Sequence, residues 1–143
     1  MERQGVFAPE TTRAASERYE RLSTAAQGVV REVTRAMAFD TTEYDERVTA
    51  DVIESAQEAL FASLLEVHIA SRDEFDAWQR TADFEIEEMG SEHVDNVVWH
   101  APPFADTAVA ATFQDETEAA VDTLRRQAFG RLYADILRNG EQS

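Results

Sequence analysis

Apolar residues recur at helical spacing through the first 63 positions. Pro9 and the Thr11–Thr12 pair prepare a helix start, and Ala15, Tyr19 and Leu22 then follow at helical steps. Ser23 or Thr24 is placed to cap a second helix, whose inner face is Ala26, Val30, Val33 and Met37. Gly28 weakens that helix without breaking it. Phe39-Asp40-Thr41-Thr42 reads as a break with an N-cap. A third helix follows, with Val48, Val52, Ala56, Leu60 and Leu64 on one side and Asp51, Glu54 and Glu58 on the other.

The period then changes from helical to alternating. Leu65, Val67 and Ile69 interleave with Glu66 and His68, which predicts a strand. Ser71 followed by Glu74 is a capping box, opening a short helix that presents Phe75 and Trp78 one turn apart. Phe84 to Glu87 alternates again, Asn96 to His100 gives a third strand closed by Pro102-Pro103, and Thr107 to Phe113 a fourth. Val109, Ala111 and Phe113 share a face of the fourth. Short loops between the second, third and fourth strands predict an antiparallel meander. A long helix runs from Asp115 or Glu116 to about Leu137, with Val121, Leu124, Ala128 and Leu132 inward and Phe129 and Tyr133 widening the stripe. Its first turn is acidic and Arg138 stands near its end, as the helix dipole prefers.

The expected fold is therefore α+β: three N-terminal helices, then β-α-β-β-β-α with a four-stranded mixed sheet. One domain covers residues 1–143, its helical part at about 10–63 and its sheet with C-terminal helix at about 64–137. Residues 139–143 read as a frayed tail.

Composition adds an environment. The 143 residues carry 29 Asp and Glu against 13 basic residues, a formal net charge of −16. Every basic residue is arginine, and there is no lysine and no cysteine. Disulfides, thiolate zinc sites and cysteine nucleophiles are thereby excluded. In dilute buffer such a charge strains a small fold by self-repulsion, whereas in about 1 M salt the screening length falls to about 3 Å. Short carboxylates hold water and counter-cations, while lysine stems add apolar surface. An acid-rich, lysine-free chain with many alanines thus implies the cytosol of a salt-in halophile. Free nucleic acid and anionic membrane surfaces would be repelled, and neither is an expected partner. The segment MERQGVFAPE has no basic and apolar signal pattern, and no apolar run approaches membrane-spanning length, so the expected location is cytoplasmic.

Three stretches are distinctive together: RVTADVIESAQEALFASLLEVHIA at 47–70, VDNVVWHAPP at 94–103, and ATFQDETEAAVDTLRRQAFGRLYADIL at 111–137. In these the chain, from about residue 6 to 137, resembles an uncharacterised family of small acidic haloarchaeal proteins, a domain of unknown function. The resemblance implies a lineage that agrees with the charge. It implies no activity, cofactor or catalytic residue.

Several chemistries are missing from the sequence. Its five glycines lie at least ten residues apart, so neither a phosphate-cradling loop nor a dinucleotide fingerprint can be written. There is no G-x-S-x-G elbow, no paired-histidine zinc motif and no calcium-loop rhythm between Asp40 and Asp51. The candidate binding residues are Glu66, His68, Trp99 and His100. With Leu65, Val67 and Ile69 facing the core, Glu66 and His68 fall on the other face of their strand. With Val97 and Trp99 inward, His100 joins that outer face, together with Glu85 and Glu87. Such a cluster could hold a divalent metal or supply a general base with an orienting acid. Val98 competes with Trp99 for the inward position. The plainer reading is a solvated sheet face with incidental histidines. Likewise Trp99-His100-Ala101-Pro102-Pro103 could form a rigid aromatic recognition corner, while core burial of Trp99 is the plainer reading. His93 sits in an acidic turn beside Glu92 and Asp95, on the surface. Arg125, Arg126 and Arg131 could bind a phosphorylated ligand or nucleic acid, but the plainer reading pairs them with Asp122 and Asp135 at helical spacings or with acids of the N-terminal helices.

The expected function is a non-enzymatic protein-interaction or assembly domain without cofactor, bound to a protein partner or to copies of itself. The missing catalytic signatures and the wide apolar face of the last helix support it. The alternative is a small metal-assisted hydrolase or small-ligand-binding protein using His68, His100 and the neighbouring carboxylates.

Overall fold

The computed structural model describes residues 1–91 and 93–138. The expected tail at 139–143, and the Glu92 placed beside His93, lie outside the described residues. A three-residue strand, β1 (Glu2–Gln4), comes first and has no counterpart among the expected elements. Its ERQ sequence has no apolar alternation to announce it. Backbone hydrogen bonds from Val6 and Phe7 to the Leu64 carbonyl, and from Glu66 to the Phe7 carbonyl, hold this segment against the sheet. Gly5 makes the turn at φ +94°, where a Cβ would collide with the Leu65 carbonyl.

Helix α1 (Thr12–Arg21) starts at the Thr11 cap, whose hydroxyl accepts from Ala14 N–H at 3.0 Å. The expected cap at Ser23 or Thr24 does not form. Leu22 keeps helical angles, and α2 (Ser23–Ala36) follows directly, so α1 and α2 are joined at one residue. Asp40 caps α3 (Thr41–Arg47), as the break at Phe39–Thr42 predicts. The expected long third helix is split, however. Val48 turns extended, and Thr49 caps a fresh helix, α4 (Ala50–Leu64). The inward faces are also rotated. On α2 the buried residues are Ala26, Val30 and Thr34, and on α4 they are Phe61 and Ala62, not Leu60 or Leu64.

The second half follows the expected element order: β2 (Val67–Ser71), α5 (Arg72–Thr81), β3 (Glu85–Met89), β4 (Asn96–His100), β5 (Thr107–Phe113) and α6 (Thr117–Ala128). A π-helical turn, Phe129–Tyr133, then leads into α7 (Ala134–Arg138). The α5 capping box forms as read, with Ser71 and Glu74 bonding reciprocally.

The sheet is mixed but has five strands, in the order β1-β2-β4-β5-β3. The meander is corrected: β3 pairs in parallel with β5, and β4 lies on the other side of β5. Composition explains this. β4 and β5 carry the apolar runs and occupy the centre, whereas Glu85, Glu87 and Glu88 of β3 are exposed. The β3–β4 connection must then pass over the end of β5. Gly90 makes that passage at φ +101°, and Ser91 N–H donates to the Thr112 hydroxyl at 3.0 Å. A Cβ on Gly90 would collide with that hydroxyl. Gly90→Ala is expected to cost about 1–3 kcal/mol in urea unfolding. Adding Thr112→Ala should recover the steric share and leave the backbone share. A Gly90→Ala protein as stable as the parent would contradict the crossing.

Both faces of the sheet centre are covered. On one side Val67, Val98 and Val109 meet α4 and the α6–α7 helix, with Phe61 at the middle. Phe61 touches Phe7, Tyr19, Phe129 and Tyr133 edge-on, at centroid separations of 5.0–6.0 Å. On the other side α5 lays Phe75 and Trp78 over Val97, Trp99 and Ala110. Val97, Val98, Trp99 and His100 are all fully buried, so Val98 and Trp99 each face a core, on opposite sides. The expected solvated outer face is, over β4, a second core.

Candidate functional site

The four candidate residues meet where β2 begins and β4 ends, but not on one face. In the ladder His68 lies opposite Trp99, which puts those two side chains together and turns His100 to the other side. Glu66 links the two faces. Its backbone carbonyl accepts from His100 Nδ1 at 2.6 Å, and its carboxylate lies 3.7 Å from His68 Nε2.

His100 is held at both nitrogens. A carbonyl can only accept, so Nδ1 carries the proton, and Nε2 accepts from the Tyr133 hydroxyl at 2.7 Å. The imidazole is therefore neutral in one tautomer. Burial pushes its pKa down to about 4, against the raising effect of the Glu66 carbonyl. Burial likewise drives the Tyr133 phenol far above its ordinary range. The π turn creates this contact. Inward positions run Val121, Leu124 and Ala128 at α spacing, and the next fully buried position is Tyr133, five residues on. A regular helix would have aimed Leu132, the expected inward residue, at this place.

His68 stacks on Trp99 with ring centroids 5.2 Å apart and planes at 20°. Desolvation lowers its pKa, and the Glu66 carboxylate opposes that shift. His68 Nδ1 and Trp99 Nε1 are buried without a protein hydrogen-bond partner. The plainer reading of Trp99 holds, since the ring is fully buried against Phe75 and Trp78.

The two imidazoles thus do not form one site. Among the described residues no group of three His, Asp or Glu side chains is placed to hold a metal ion. Nor do Glu85 and Glu87 share the face of Glu66 and His68. Glu87 lies opposite Val109 and binds Arg131 at 2.8 Å on the α6 side. Glu88 is the carboxylate on the α5 side, in a two-pronged contact with Arg72. His93 is exposed, as expected. The arginines of the last helix make internal contacts: Arg125 donates to the Leu65 carbonyl at 3.0 Å, and Arg138 binds Glu58 of α4. A cleft of about 410 Å³ lies beside Arg138, lined by Tyr19, Ile53, Glu54 and Gln57. Its polar groups serve one another, for Gln57 donates to the Tyr19 carbonyl at 2.7 Å. Burial, Glu58 and Glu54 push the Tyr19 phenol up to about 12.

The feature that sequence reasoning missed is apolar. Val29, Val33, Met37 and Val52 are 44%, 52%, 58% and 40% exposed, although the expected inner faces contained the last three. All four line one groove of about 360 Å³ between α2, α3 and α4, with Val30, Thr34, Val48 and Ala56 in its floor and walls. Among the described residues Arg47 is its only charged lining residue, lying over the Phe39 ring at 5.5 Å. Little in the sequence announced it: Ala26, Val29, Val30 and Val33 of α2 fall within about 100° of one helical wheel, the width of an ordinary buried face, so their spacing does not show which edge stays in solvent.

The profile of DUF5809, a family of unknown function, matches residues 6–134. No curated protein and no solved structure matches the chain.

Proposed function

The chain belongs to DUF5809, and we propose that it is a non-enzymatic protein-interaction or assembly domain whose docking face is the groove between α2, α3 and α4. One observation carries this reading: on a chain of net charge −16, four of the six exposed large apolar side chains among the described residues line a single groove, Met1 and Val6 of the N-terminal segment being the other two. An apolar groove set in an acidic surface is what a docking partner can recognise. The same charge supports a cytoplasmic, salt-adapted setting and argues against nucleic acid and membrane as partners. Among the described residues no helix is long and apolar enough to cross a membrane. No cofactor enters the reading.

A photo-crosslinking side chain at Val33 tests it in extract of the source cells at their own salt. Adducts are expected from position 33 and not from Gln27, which is exposed on the opposite flank of α2. Absence of adducts at 33, or equal yields at both positions, would overturn the reading.

A second reading, a small-ligand site at Glu66, His68 and Trp99, draws on the two unpartnered nitrogens of that face. Ligand-induced stabilisation that vanishes in His68→Ala would favour it.

A further inference from the structure

We infer that the occupant of the groove is a second copy of this chain, the two α2–α4 faces meeting across a two-fold axis. This rests on the docking reading above and adds the partner's identity. The face carries both a ridge and a hollow. Val29 and Val33 of α2, with Met37 at its C-cap, form the ridge, spaced four residues apart. Beside it lies the hollow lined by Val30, Thr34, Val48, Val52 and Ala56. Ridges at four-residue spacing interdigitate with their own kind in the commonest helix-packing class. A surface holding ridge and hollow side by side is complementary to itself under two-fold rotation.

The charges repeat that complementarity. Arg47 lines the hollow, and among the described residues no carboxylate is in ion-pair contact with it, although the chain holds 29 acids to 13 arginines. Glu32 stands three residues from Val29, on the side of the ridge away from Val30. It is well exposed and bound only to its helical neighbour Arg35, at 2.9 Å. When the ridge of one copy enters the hollow of the other, Glu32 approaches the Arg47 of the second copy, and the symmetry gives this pair twice. α2 is about 21 Å long, so the face is small and association in the micromolar range is expected.

Sedimentation equilibrium in concentrated KCl, from about 5 to about 500 µM protein, reads this range directly. The mass should rise from 16.1 kDa towards twice that value. Val33→Glu should remain monomeric throughout, with Met37→Glu as the second probe should the first not fold. At the lowest KCl concentration that keeps the chain folded, where screening is weakest, Glu32→Arg and Arg47→Glu should each weaken self-association about threefold to tenfold, because like charges then face each other twice. An equimolar mixture of these two variants should restore it, since both cross-pairs are then opposite in sign. A parent chain that stays at 16.1 kDa overturns the inference. If Val33 then crosslinks to a foreign protein, the docking reading survives, and if it crosslinks to nothing both fall. A dimer indifferent to Val33→Glu and Met37→Glu, or variants not rescued by mixing, also overturns it.

Discussion

Phe61→Ala is expected to lower the stability of the fold by about 3–5 kcal/mol, the usual cost of removing a buried phenylalanine. Phe61 is fully buried, and its ring edges meet four other aromatic rings drawn from the N-terminal segment, α1 and the π turn. The side chain therefore joins elements far apart in sequence, and its loss leaves a cavity that rigid neighbouring rings cannot close. For a chain of this size the melting temperature should fall by roughly 10–15 °C. Leu60→Ala, one residue away and only part-buried, is the control and should cost less than half as much. Urea unfolding of both variants makes the comparison. Equal losses would mean that α4 packs through the Leu60 stripe read from the sequence.

The second large effect belongs to His100. Its folded pKa of about 4 lies below the 6.5 of an unfolded histidine, so between those values the unfolded chain binds the extra proton. Stability should therefore be intact above pH 6.5 and fall as the pH drops towards 4, by about 3 kcal/mol in all. Protonating surface carboxylates relieves the repulsion among them, which works in the opposite direction on so acidic a chain. His68, also depressed, titrates in the same sense. The difference between parent and His100→Gln isolates His100. Glutamine can donate to the Glu66 carbonyl and accept from Tyr133 without titrating, so its unfolding should lose that acid dependence. His100→Ala leaves the phenol and the carbonyl both stranded and should cost about 3–5 kcal/mol already at neutral pH. An identical pH profile in parent and His100→Gln would show that the imidazole is not the sensor.

What could be read from the sequence was local. The caps at Thr11, Asp40 and Ser71 and the strand at 96–100 each depend on neighbours within a few residues, and each formed. Thr49 carried the same kind of signal, but the apolar spacing that runs on through Val48 and Val52 obscured it. The placement of β3 beside β5 depends on which strands tolerate the centre, and loop length does not reveal that. The histidines were misplaced because alternation assigns residues to an inside and an outside. At β4 both sides are inside, and parity loses its meaning. Tyr133 offered a weak hint, since a tyrosine on a buried stripe needs a partner for its hydroxyl and the chain offers three histidines. The five-residue step that brings it to His100 had no signature in FGRLY.

The polar strand β1 has a consequence for how these molecules behave in a crowd. β2 is backed by Val67 and Ile69, and with its outer hydrogen bonds vacant it would be a template on which the strand of another molecule could grow. Glu2, Arg3 and Gln4 occupy that template, and at the opposite border β3 presents glutamates. A sheet bounded this way on both sides resists fibrous aggregation at the high protein concentrations of a cell.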